Sequence, residues 1–250
     1  MEKCWASCLG DCDGGISGEH IVSKALFESQ VVNVRGFHWC KHEFKKIGLA
    51  SLTKNALCRK HNSQLSPIDL KASYAFDVLR QQTKLHNERA RYPHRKHKKI
   101  VYSINASELE RWLLKTLINI TYGGNFFIGP DSAQVGLPSD DLVRMAFSYK
   151  KFPDKNGLFV AAKTGLNLHF TDAFHFCSLI KDKEYVCGGY FVFRGVYMFL
   201  DLVPGGLKIP FEQIPGTDSN WHNIRLIKQF RQIKVTLGKR VHQVIDFKWS

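Results

Sequence analysis

Five of the seven cysteines in this chain fall within its first 58 residues: Cys4, Cys8, Cys12, Cys40 and Cys58. That crowding constrains the fold more than any other feature. The segment around them, 1–66, is rich in His and Gly and holds only short strand-like runs, at 16–22 and 31–35. Such a segment has a thin core of its own and needs a staple. The staple can be a disulfide or a metal. Seven is an odd number, and Met-Glu-Lys-Cys-Trp has none of the charged-then-apolar pattern of an export signal. The expectation is therefore a reducing, cytoplasmic setting in which a metal serves better than disulfides.

Zinc wants four S or N donors arranged as a tetrahedron, supplied in pairs by tight turns. Cys58 and His61 form a C-x2-H pair, and Cys8 and Cys12 form a slightly wide C-x3-C pair. Cys4 and Cys8 have the same spacing, so one of the three early cysteines is spare. The expected structural zinc site is Cys8, Cys12, Cys58 and His61, with Cys4 the alternate and Cys40 a further candidate. Cys177 and Cys187 lie in β-type apolar segments and read as packing residues.

A second set of residues carries acid–base chemistry. Glu19-His20 closes the strand-like run after the cysteines, Asn62 follows His61, and Asp69 comes seven residues later. Hydrolysis of a phosphodiester needs a base for the attacking water and a cation for the developing charge. His20 can be the base, and Glu19 and Asp69 are hard oxygen ligands suited to magnesium or manganese. Asp69 also has a plainer reading, as the capping-box acid of a helix that starts at Pro67 and is capped by Ser66. The remaining histidines (His38, His42, His86, His169, His175, His222 and His242) have no partner at readable spacing and read as structural or surface residues.

Glu-His after a cysteine pair, followed by C-x2-H-Asn and an acid two turns on, resembles the HNH endonuclease motif. The wording SGEHIVSKAL … LCRKHNSQLSPID is similar to a group of uncharacterised bacterial HNH-type proteins. The resemblance covers residues 4–70, about a quarter of the chain. It implies a ββα-metal fold, in which a β-hairpin and a helix hold one catalytic cation, often on a zinc knuckle. It further implies His20 as general base, Asn62 as the central motif residue, and Glu19 and Asp69 as ligands of Mg2+ or Mn2+. A role in phage defence or restriction is plausible from the family. Three departures stand out. The family usually ends its motif with His rather than Asp69, and it usually carries C-x2-C rather than C-x3-C. The stretch from His20 to Asn62 is also long enough for an inserted loop around residues 35–40.

The formal net charge of +14 favours a polyanionic partner. It is concentrated in a run at 89–99 with six Lys or Arg, two His and no acid. Arg89, Arg91, Arg95, Lys96, Lys98 and Lys99 are the expected phosphate contacts of a basic linker or arm; a solvated loop is the plainer reading. No apolar run is long enough to span a membrane. DNA is the expected partner, RNA an alternative, and pairing into a homodimer is allowed by the family.

Helical spacing predicts a helix from Pro67 to about 85, a second over 108–122 capped by Ser107, and a third over 140–149 capped by Ser139. From about 158 the texture turns to β, with strands expected at 158–162, 174–180, 185–193, 196–203, 230–237 and 241–249. The expected fold class is α+β: a zinc-stabilised ββα-metal module over 1–88, a basic linker over 89–106, and helices with an antiparallel β-rich domain over 107–250. Two functions compete. One is a metal-dependent endonuclease acting on DNA, with an RNA nuclease as its variant. The other is a zinc-stabilised nucleic-acid-binding protein without catalysis.

Overall fold

Alternation of apolar and polar residues shapes the first strands. In Val31-Val32-Asn33-Val34-Arg35, Val32 and Val34 turn inward and their neighbours turn to solvent. The computed structural model describes residues 4–92, 94–96, 98–162, 173–193, 196–203, 225–237 and 240–249. In chain order the elements begin with β1 (Ile16–His20), β2 (Val31–Arg35), β3 (Lys45–Gly48), β4 (Thr53–Cys58), α1 (Arg59–Arg91), β5 (Ile100–Asn105) and α2 (Ala106–Thr121). They continue with β6 (Phe127–Ile128), α3 (Asp140–Ala146), β7 (Gly157–Ala162), β8 (Phe174–Lys181), β9 (Tyr185–Phe193), β10 (Val196–Asp201), β11 (Arg225–Lys228), β12 (Gln232–Leu237) and β13 (Arg240–Lys248).

Three sheets result. β1 and β4 form an antiparallel pair. The large sheet runs β11-β7-β10-β9-β8-β2-β3, with β6 also on β9. The third runs β12-β13-β5. The fold is α+β and rich in antiparallel strands, as the composition of its β segments suggests. The parallel pairings are β2 with β8, β6 with β9, and β5 with β13. Residues 21–52, between β1 and β4, thus lend two strands to the sheet made mostly by the C-terminal half. Gly36 follows β2 at φ +94, where a Cβ would run into the Phe176 carbonyl of β8. Only glycine suits that approach.

Helix α2 lies where the layers meet. From Leu109 to Asn119 every residue except Arg111 is buried. It packs on α1 and α3 and on strands β9, β10 and β13. One apolar core extends from Cys4 to Phe247. A smaller cluster of Ala161, Leu179, Cys187, Tyr190 and Phe199 lies apart from it. Cys187 belongs there as a packing thiol, donating to the Leu179 carbonyl.

The structure corrects several local expectations. α1 starts at Arg59, eight residues before Pro67, and runs through the proline without a break. Proline removes one backbone bond and crowds the preceding turn, at about 3 kcal/mol. Burial of Leu65, Ile68, Ala72, Ala75, Phe76 and Leu79 along one face offsets that cost. Ser66 therefore caps nothing. Asn105, not Ser107, caps α2 by accepting from the Glu108 N–H. The span 89–106 holds the end of α1 and all of β5 rather than an extended linker. Among the described residues no helix is long and apolar enough to cross a membrane.

Candidate metal centre and the polar cluster beside it

The hairpin of β1 and β4 is irregular at one point. Ser17 faces Leu57 and Gly18 faces Asn55, so Ala56 is an extra residue on β4. A bulge of this kind leaves one residue out of the ladder. The spare Ala56 carbonyl accepts from the Trp5 N–H at 3.0 Å. That bond lays the N-terminal segment along β4 and brings Cys4 beside Cys58.

Cys58 ends β4 with extended backbone, and α1 begins at the next residue. His61 therefore sits in the first turn, and its Nδ1 lies 3.2 Å from the Sγ of Cys4, 3.2 Å from that of Cys58 and 3.6 Å from that of Cys12. All four ligand atoms lie within 4.8 Å of one another. Tetrahedral zinc, with bonds of about 2.0–2.3 Å, holds its ligands about 3.5–3.8 Å apart. The cluster can therefore hold a metal such as zinc with little rearrangement. Nδ1 faces the thiols, and Nε2 is 2.8 Å from Asp11 Oδ1. A carboxylate on the far nitrogen fixes the ring and its tautomer. Asp11 also pairs with Lys60 at 2.6 Å, and the two partners hold its carboxyl below the usual range. The ring of Phe147 stacks edge-on against His61 at 5.2 Å and against Trp5 at 5.8 Å.

Two of the three clustered thiols resist ionisation and the third does not. Burial pushes Cys4 up to about 12 and also raises Cys12. Burial acts on Cys58 too, but hydrogen bonds from the His61 and Asp13 backbone and from its neighbouring thiols bring it below its ordinary value.

Cys8 is not part of this cluster, contrary to the expected ligand set; Cys4 takes its place. The chain makes a tight 3-10 turn at Ser7–Leu9, where each residue advances about a third of a turn. Four residues on from Cys4, Cys8 has rotated away and is exposed, with Asp140 beside its thiol. Cys40 is also elsewhere, donating to the Val34 carbonyl. All seven cysteines are free thiols.

At the other end of the same hairpin lies a second polar cluster. Glu19 is buried near the end of β1, and Asp69 sits nearly three turns into α1. Lys115 of α2 stands between them, its Nζ 2.5 Å from Glu19 Oε1 and 2.8 Å from Asp69 Oδ2. The lysine side chain is only 2% exposed. Ser23 donates to the other oxygen of Asp69 and accepts from Trp112 Nε1 at 2.9 Å. Asn62 donates to Ser17 Oγ at 3.2 Å, and also to Glu19. Burial pushes the Glu19 carboxyl above its ordinary range, against the pull of Lys115 and of the Asn62 hydrogen bond. The structure thus brings Glu19, Asn62 and Asp69 together. Asp69 serves as a partner of Ser23 and Lys115, not as a helix-capping acid.

His20 closes β1, opposite Thr53, and is half-buried. Among the described residues none hydrogen-bonds its imidazole. The basic run is divided. Arg91, Arg95, Lys96, Lys98 and Lys99 are exposed, and Arg91 and Arg95 both lie over the Tyr92 ring. Arg89 is not a surface residue as expected: it is 3% exposed, and its Nη2 donates to the Lys98 carbonyl at 2.9 Å. Two residues before the end of α1 its side chain points inward and ties down the loop that follows. His175 is a structural histidine, edge-on to Tyr190 and Phe44, with burial holding it down to about 4. His97, His169 and His222 lie outside the described residues, as do the side chains of His86 and His242.

Lys115, Ser23, Trp112 and Asp11 were not singled out from the sequence. Lys115 carried one signal. It is a lone charge in the apolar stretch 112–120, and a helix buried all round can hold a cation only beside acids. No known protein family, curated protein or solved structure matches the chain.

Proposed function

We propose that this chain is an endonuclease that hydrolyses DNA phosphodiester bonds, with His20 as the general base. One observation carries the reading. A strand pair running straight into a helix gathers Glu19, Asn62 and Asp69 around a single cation position, and His20, whose imidazole none of the described residues holds, follows Glu19 at the end of the same strand. His20 takes a proton from water, the resulting hydroxide attacks the phosphorus in line, and the P–O bond opposite it breaks as the leaving oxygen takes a proton from solvent. Asn62 holds Glu19 and ties β1 to α1 through Ser17. The exposed cations Arg91, Arg95, Lys96, Lys98 and Lys99 bind phosphates along the DNA.

Glu19 and Asp69 are the right donors for Mg2+ or Mn2+, which would stabilise the pentacovalent phosphate and the leaving oxygen. The place between them is held by the Lys115 ammonium. That same observation favours the second reading, a zinc-stabilised DNA-binding protein in which Glu19, Asp69 and Lys115 only brace the fold.

A supercoiled-plasmid assay separates the two. Zinc-loaded wild type and His20→Ala are compared with Mg2+, with Mn2+ and with a chelator too weak to strip zinc. Nicking that needs the added cation and falls by about 100- to 10,000-fold in His20→Ala supports the nuclease. Retention of DNA on a gel by both proteins, with no cleavage under any condition, supports the binding protein. Cleavage of an RNA duplex or hairpin in preference to the plasmid would move the substrate to RNA.

A further inference from the structure

The polar cluster already contains a cation. Lys115 reaches from α2 into the gap between a β1 carboxylate and an α1 carboxylate, within 2.8 Å of both. Its surroundings are complete on every side that the described residues form. Asp69 is held by Ser23, Ser23 by Trp112, and Glu19 by Asn62. Two carboxylates and one ammonium leave the cluster one positive charge short of neutral. It still attracts a cation, but the position of best potential is filled.

We propose that Lys115 is the gate of this site: a divalent cation binds between Glu19 and Asp69 only in place of the lysine ammonium. The inference rests on reading these two acids as the cation-holding pair, and it adds how their occupancy is controlled. A divalent ion and an ammonium cannot share two carboxylates at these separations, because like charges about 4 Å apart repel strongly away from bulk water. The lysine is suited to withdraw. Its charge sits at the tip of a flexible four-carbon stem, unlike the rigid fork of arginine. In the resting protein the acids are thus held in place without a divalent ion, and cleavage sets in only above a threshold of Mg2+ or Mn2+.

The test is Mn2+ binding, read from the loss of the free-ion electron paramagnetic resonance signal, with zinc-loaded protein and no DNA. Wild type is expected to bind Mn2+ weakly. Lys115→Met is expected to bind one Mn2+ at least about tenfold more tightly, since the competing charge is gone. Glu19→Gln combined with Lys115→Met should lose that gain. Equal Mn2+ affinity in wild type and Lys115→Met overturns the proposal. The wild-type arm decides even if the lysine variants do not fold. Micromolar Mn2+ binding by wild type that Asp69→Asn abolishes shows that the site accepts the ion with Lys115 in place, and also overturns it. The readout is independent of cleavage. A chain that cuts no DNA can still show the gate, and a chain that cuts DNA while binding Mn2+ equally with and without Lys115 keeps the nuclease and loses the gate.

Discussion

The two polar clusters hang from one hairpin, roughly 10 Å apart along its strands, and they solve opposite problems. Around His61, three sulfurs and one nitrogen converge with no cation of the protein's own among them. Around Lys115, two carboxylates converge on an ammonium that the chain supplies itself. The first cluster has room for an ion from outside. The second is complete as folded, and an ion from outside must displace something. Clustering of ligand-type residues therefore does not by itself mark a vacancy. The charge already inside the cluster decides.

That contrast can be broken in three places. The largest effect is expected at the thiol end. Structural zinc contributes about 10–16 kcal/mol of apparent binding free energy in small zinc peptides, comparable with the whole stability of many domains. Stripping the metal with a strong chelator, or replacing Cys58 with Ser, should abolish the cooperative melting transition seen by circular dichroism. Cys8→Ser should leave it within a degree or two of wild type. An unchanged transition after complete zinc removal would show that the thiols are packing residues.

A smaller loss is expected at the lysine end. Lys115→Ala leaves the buried Glu19 and the half-buried Asp69 facing each other without a cation, which costs about 3–5 kcal/mol. Denaturant melts should show that loss, and Glu19→Gln in the same chain should recover part of it. A cost under about 1 kcal/mol would mean that water reaches the acids and that they are not a buried pair.

The finest distinction concerns Asp11. Its carboxylate touches the His61 ring but none of the sulfurs. Asp11→Asn should weaken zinc about 10- to 100-fold in a competition with a chromogenic chelator, with the metal-loaded fold unchanged. No change in affinity would make Asp11 merely a partner of Lys60.

Much of this was legible in the residues and some was not. The C-x2-H pair and Cys12 stand where their spacing put them, because a strand end followed by a first helical turn is a local arrangement. Cys4 in place of Cys8 was not legible. That choice depends on a bulge at Ala56, more than fifty residues away, whose carbonyl captures Trp5. The strands at 31–35 and 185–193 appeared at their observed bounds, since alternation or dense β-branched and aromatic composition marks them. β5 and the true start of α1 were hidden by Lys-rich and Pro-containing sequence whose local preference the tertiary packing overrides. Lys115 was hidden for a different reason. Its partners come from two other elements, and nothing within α2 identifies them.

The parallel pairing of β2 with β8 has a consequence in time. Val34 meets Phe174, roughly 140 residues later in the chain. At about 5–20 residues per second, a ribosome takes roughly 10 to 30 s to deliver the second strand after the first. Until then the segment between β1 and β4 has no sheet to join, and α2, which carries Lys115, has no β9 or β10 to pack against. The residues of both clusters are made early, but the helix that braces the second one completes its packing only after β9 and β10 have been delivered.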